Sequence, residues 1–204
     1  MTVRGRALAL LPLVVFAFSI VAGCAREPQD IREARLAAER FITAVAGQDL
    51  AEVRQRATCV VSMRSVQGGN VLRVGALRRF PVSSLDSLAS SASAAHQRAE
   101  SLWAQSRSGD RDAQFNDIRR TARLEITYRN ALRAIALSRP GVLNDSKTPL
   151  ETRVVRMRIR YAGSVIGPKP VDREMILRLL RAPPGKWIAF SLYTAEDDPQ
   201  PDGV

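Results

Sequence analysis

A chain of 204 residues with 46% hydrophobic and 25% charged side chains holds enough apolar material for one domain with a real core, and too little length for two. Its 31 lysines and arginines against 20 aspartates and glutamates leave a net charge of +11, which speaks to acidic or anionic partners rather than to a fold, although GC-rich coding alone also produces the skew toward 28 arginines. The single histidine, His96, restricts or excludes a zinc site of several histidines, a His-centred triad, and a Cys-His pair supported by a second histidine.

The first 23 residues have the three parts of a secretory signal: Arg4 and Arg6, an uncharged stretch over 7–22, and small residues before a cleavage site. The apolar run of about 16 residues falls short of the roughly 20 that span a bilayer, and Pro12 interrupts it, which favours a cleaved signal over a permanent anchor. The run ends in Val21-Ala22-Gly23-Cys24, which resembles the lipobox of bacterial lipoproteins. That resemblance implies cleavage between Gly23 and Cys24 and a diacylglyceryl group on the Cys24 thiol. Two or three acyl chains would then hold the mature protein on a membrane, each buried methylene adding about 0.8 kcal/mol. Ala25, in place of an aspartate, resembles the pattern sent on to the outer membrane of a two-membrane bacterium, so the expected location is the exported side of the cell membrane or the outer membrane. With Cys24 alkylated, Cys59 has no intramolecular disulfide partner and reads as a small buried apolar residue or as a site of intermolecular pairing.

Residues 24–30 form a lipidated tether, and 31–196 a single domain. Asp30-Ile31-Arg32-Glu33 reads as a capping box for a helix over 31–46 with Ile31, Ala34, Ala38, Phe41, Ile42 and Val45 on one face, and Gly47 suits its stop. Asp49 and Glu52 repeat the capping signal for a short second helix. Two short strands over 59–66 and 71–74 follow, joined by a turn at Gln67-Gly68-Gly69-Asn70, until Pro81 breaks the pattern. Ser83 or Ser84 caps a helix to about residue 106 that carries Leu85, Leu88, Ala92, Ala95, Ala99 and Leu102. After a polar break at 106–110, a longer helix runs over 111–138 with Phe115, Ile118, Ala122, Ile126, Leu132 and Ile135. Its apolar arc drifts around the axis, which suits contacts with more than one neighbour. These two helices read as an antiparallel hairpin inserted at 84–139. The period then changes: Val155, Met157, Ile159 and Tyr161 alternate with Arg156, Arg158 and Arg160, a half-buried strand. A second strand over 174–181, the turn Pro183-Pro184-Gly185 and a third strand over 187–194 lead to a tail at 197–204 expected to fray.

Two opening helices with a glycine-marked bend, and a closing antiparallel set ending in Gly185-Lys186-Trp187-Ile188, resemble the nuclear transport factor 2-like superfamily, and within it small bacterial lipoproteins. The resemblance covers 39–57 and 152–193, about a third of the chain. It implies an α+β fold with a curved, cone-like antiparallel sheet wrapped on helices, often with a ligand cavity that the insertion here fills or reshapes. Some members are isomerases or dehydratases using a buried acid and a polarising tyrosine; Asp86, Asp117, Glu125, Tyr128 and Tyr161 are residues of the right types, and no motif selects among them.

No catalytic residue, metal or cofactor is assigned. Alternate strand residues point the same way, so Arg156, Arg158 and Arg160 stand on one sheet face with Arg178 of the next strand as a fourth member, either balanced by acids or docking an anion. Export sets nucleic acid aside as a partner. The expected function is a membrane-anchored, non-enzymatic binding or scaffolding domain of the cell envelope, meeting anionic lipid, a wall polymer or an envelope protein. The alternatives are a carrier or isomerase-like enzyme in the cone cavity, and a structural partner using the hairpin as its contact.

Overall fold

The structure, a computed structural model, describes residues 27–59, 61, 63–105, 111–163 and 169–199. The signal segment, the cleavage pair Gly23 and Cys24, the start of the tether and the last five residues lie outside the described residues, as do the break at 106–110 and the middle of the connection after residue 163.

Four helices and a five-stranded antiparallel sheet make an α+β fold, as the change of period predicts. Helices α1 (Gln29–Ala46) and α2 (Leu50–Arg56) precede strands β1 (Val66–Val74) and β2 (Arg78–Pro81). The hairpin helices α3 (Val82–Gln105) and α4 (Arg111–Ser138) follow, then β3 (Pro149–Tyr161), β4 (Val171–Arg181) and β5 (Ile188–Thr194). The sheet runs β1-β3-β4-β5, with β2 pairing on the same edge of β3 as β1, and it does not close on itself.

Period 2 divides β3 and β4 into two buried faces. Val155, Met157 and Ile159 point with Met175, Leu177 and Leu179 against α1, where Phe41, Ile42 and Val45 meet them. Leu150, Leu180, Ile188 and Phe190 point the other way, against Leu85 of α3 and Tyr128, Ala131 and Ile135 of α4. Burial on both faces explains why β3 runs through 13 residues, six longer than the alternation at 155–161 marks.

The α1 capping box does not form. The helix starts at Gln29 with no side-chain cap; Asp30 accepts the Ile31 N–H at 2.9 Å and otherwise bonds Arg153, and Glu33 accepts from Arg181 at 2.7 Å. Both acids are taken up by the sheet beneath the helix. At the other end the left-handed residue is Gln48 (φ 56°), not Gly47. The α2 cap does form, Asp49 accepting from the Glu52 N–H at 3.0 Å. For α3, loop carbonyls replace the expected serine cap: Val82 N–H donates to Thr148 O and Ser83 N–H to Ser146 O.

The expected turn at residues 67–70 is part of β1, Gly68 and Gly69 lying opposite Arg160 and Ile159, and β2 is an unforeseen strand ending on Pro81. Gly69 is there for close approach. A Cβ at Gly69 would sit 2.7 Å from the Arg158 carbonyl oxygen and 3.1 Å from Ile42 of α1, whereas one at Gly68 would have nothing within 4 Å. In the hairpin, Leu85, Ala92 and Ala99 are buried seven residues apart and α4 buries Thr127, Tyr128, Ala131, Ala134 and Ile135, but Leu102, Phe115 and Ile126, expected on the apolar faces, are exposed. Gly69→Ala is expected to cost about 1–3 kcal/mol by overpacking against rigid backbone. Gly68→Ala should leave stability unchanged or raised by up to about 1 kcal/mol, because alanine restricts the unfolded chain. Urea unfolding midpoints of the two variants check the difference.

Candidate functional site

The arginine row falls on the corner of the sheet that the hairpin leaves open. Arg156, Arg158 and Arg160 are exposed on one face of β3, opposite Ile176, Glu174 and Asp172 of β4. Arg160 bonds Asp172 at 2.9 Å, and Arg156 lies 3.3 Å from Glu174, two register positions along the sheet. The Arg160 pair holds Asp172 below the ordinary carboxylate range. Among the described residues Arg158 makes no ion pair, and with Arg160 and Asp172 it borders a shallow depression of about 310 Å³ along the Gln67–Asn70 segment of β1. Two of the three guanidinium groups are thus paired with acids within the sheet, and the third, Arg158, also acts on Asp172 through its charge.

Arg178 does not join them. It shares their side of the sheet, but at its rung α4 and the C-terminal residues cover that side, and its side chain is 3% exposed. It makes two hydrogen bonds, of 2.8 and 3.1 Å, to Asp198, whose side chain is 2% exposed. Alternation gave the correct side but could not show where the cover ends. The start of the tail is bonded to the domain rather than frayed, since Asp197 bonds Arg123 of α4 and Asp198 bonds Arg178. An aspartate pair in a short acidic tail of an arginine-rich chain was the available signal.

A second ionic network went unread in the sequence. Glu151 of β3 accepts from Arg79 of β2 at 2.9 Å and from Arg181 of β4 at 2.7 Å; Arg181 bonds Glu33 of α1 and lies 4.5 Å over the Trp187 ring. Burial pushes Glu151 up, and the two arginines outweigh it, so its carboxyl sits below the ordinary range. The carboxylates displaced from that range, Glu27, Asp30, Glu33, Asp145, Glu151, Asp172 and Asp197, are all displaced downward. This is the signature of acids held ionised by partners, the reverse of a general acid tuned upward.

A carrier or isomerase needs a deep pocket with a buried acid beside a tyrosine. Here Tyr128 is packed in the hairpin core, Glu125 pairs with Arg129, Asp117 with Arg120, and the insertion fills its face of the sheet with apolar side chains. Burial raises the Tyr161 hydroxyl. His96 is held between the helices by Thr121 at 3.3 Å, with Glu100 3.4 Å away, while Cys59 packs against the α1 core. Burial pushes the Cys59 thiol up to about 12, so it is uncharged at neutral pH. Among the described residues no three histidine, cysteine or carboxylate side chains form a group able to hold a metal ion.

Asp198→Ala removes both Asp198 hydrogen bonds from the buried Arg178 guanidinium and is expected to cost about 3–5 kcal/mol, whereas Arg178→Met with Asp198→Leu should recover most of that loss. Thermal unfolding of the single and double variants measures it. Comparison of the chain with protein-family models, with curated proteins and with solved structures finds no match.

Proposed function

We propose that the chain is a lipoprotein of the bacterial cell envelope, cleaved after Gly23 and held on a membrane by lipid on Cys24, whose folded domain binds or scaffolds and carries out no chemistry. The observation that carries this reading is Val21-Ala22-Gly23-Cys24 at the end of an apolar run too short to span a bilayer. The fold supports it in two ways. Helix α1 starts at Gln29, so only a short tether separates Cys24 from the domain. No described helix is long and apolar enough to cross a membrane, which is compatible with a lipid anchor.

Arg158 and its neighbours add an anion-facing corner to this domain. Arg156→Ser, Arg158→Ser and Arg160→Ser combined should reduce retention on vesicles containing anionic lipid while leaving the circular dichroism spectrum unchanged. Unchanged retention would retire the arginine row as a docking face. The anchor itself is tested by the intact mass of the protein from the membrane fraction, beside Cys24→Ser and with a lipoprotein signal peptidase inhibitor. A species beginning at acylated Cys24, lost in the variant and delayed by the inhibitor, is the expected result; an unmodified chain cut elsewhere would refute the proposal.

A further inference from the structure

Residues 33–40 of α1, the end of α2 and the turn after β4 enclose a groove of about 340 Å³. Leu36 and Ala37 of α1, with Pro184 and Trp187 from the turn, give it an apolar floor. Four cations border it, Arg40, Arg56, Arg181 and Lys186, against a single acid, Glu33. Glu33 and Glu151 occupy Arg181, and Glu52 occupies Arg56. Arg40 and Lys186 are exposed and make no ion pair among the described residues. Beyond Arg40 the adjoining depression is bordered by Glu39, Asp49 and Glu52, so the cationic surface stops there.

The residues around the groove also carry donors without acceptors. Trp187 is 7% exposed, and its buried indole N–H has no hydrogen-bond partner among the described residues, although buried donors are ordinarily paired. Arg181 lies 4.5 Å over the Trp187 ring and donates through Nε to Glu151 and through Nη1 to Glu33, which leaves Nη2 without a hydrogen bond among the described residues. The groove is also close to the tether. Glu33 stands one helical turn, about 6 Å, from Gln29, where α1 begins. The five residues that lead from Cys24 to Gln29 reach about 18 Å at most, even fully extended.

We propose that this groove binds the phosphate-bearing head group of an anionic phospholipid from the membrane that carries the chain. The choice of a membrane lipid rests on the Cys24 reading, which puts the groove within a short tether of a bilayer surface. Two unpaired cations and the spare N–H donors match phosphate oxygens, which only accept, and basic pockets beside a membrane take anionic head groups for that reason. The apolar floor, with its tryptophan, matches the glycerol and first methylenes at interfacial depth. At about 340 Å³ the groove is near the low end of ligand sites, roughly 300–1,000 Å³, which suits a head group rather than a whole lipid. A free phosphate would leave the floor uncovered, and a zwitterionic head group would bring its own cation against Arg40 and Lys186.

The test is a titration of the isotope-labelled full chain in a neutral detergent, followed at the indole N–H NMR signals of its two tryptophans, with Trp103→Phe to identify the Trp187 signal. Phosphatidylglycerol is expected to shift the Trp187 signal saturably, and phosphatidylcholine at the same mole fraction, or inorganic phosphate, to bind about tenfold or more weakly. Arg40→Ser with Lys186→Ser should weaken the phosphatidylglycerol response about tenfold or more with the circular dichroism spectrum unchanged. The combined Arg156→Ser, Arg158→Ser and Arg160→Ser chain should respond like the parent. No shift, an equal response to phosphatidylcholine or inorganic phosphate, a response indifferent to Arg40 and Lys186, or one lost with the arginine row would overturn the proposal. The titration makes no use of the anchor, so an unacylated mass would refute the Cys24 reading while these shifts still decide the groove.

Discussion

Two arginines set back to back in the middle of the sheet constrain everything around them. Arg153 on β3 and Arg178 on β4 sit one rung apart and point to opposite faces, 4% and 3% exposed at the side chain. Each is neutralised by an aspartate brought by the layer covering that face, Asp30 from the first turn of α1 and Asp198 from the C-terminal segment. Stripping water from such charges costs several kcal/mol per ion and their attraction roughly returns it, so these pairs contribute little net stability. What they do is forbid alternatives. A sliding α1 or a detached tail would strip a buried guanidinium of its aspartate, a loss costlier than that of an ordinary contact.

The helices were legible wherever apolar spacing and termination agreed. The hairpin over α3 and α4, the α2 cap and the polarity of β3 follow from local pattern, because 3.6- and 2-residue periods are imposed by backbone geometry alone. The failures share a cause: residues whose roles are set by a distant element. Gly68 and Gly69 look like a turn until α1 is laid across β1, and Asp30 and Glu33 look like a cap until the sheet claims them. Phe115 and Ile126 have the spacing of a buried stripe, yet of that stripe α4 buries Ile135 deeply and turns Phe115 and Ile126 outward, burying Thr127, Tyr128, Ala131 and Ala134 beside it.

The strongly basic composition resolves into several populations with different work. Arg153, Arg178 and Arg181 are structural, each matched to one or two carboxylates inside the fold. Arg156 and Arg160 are cross-strand partners of Glu174 and Asp172 at the solvent edge. Arg119 faces the exposed Phe115 ring on α4, whereas Arg120 is paired with Asp117. Net charge therefore overstates how cationic any one face is, and the positions that carry information are those where an arginine meets apolar surface.

The rivets under α1 also define a path for force. If the domain hangs from Cys24, tension on the lipid enters at the first turn of α1, where Asp30 grips Arg153 and, one turn on, Glu33 grips Arg181, which is itself braced by Glu151 and Arg79. A pull at that point loads β2, β3 and β4 together before it can unzip the helix from its apolar bed. A domain anchored in that way would be fastened to the two central strands, so that a tug from a bilayer would be shared by several strands at once.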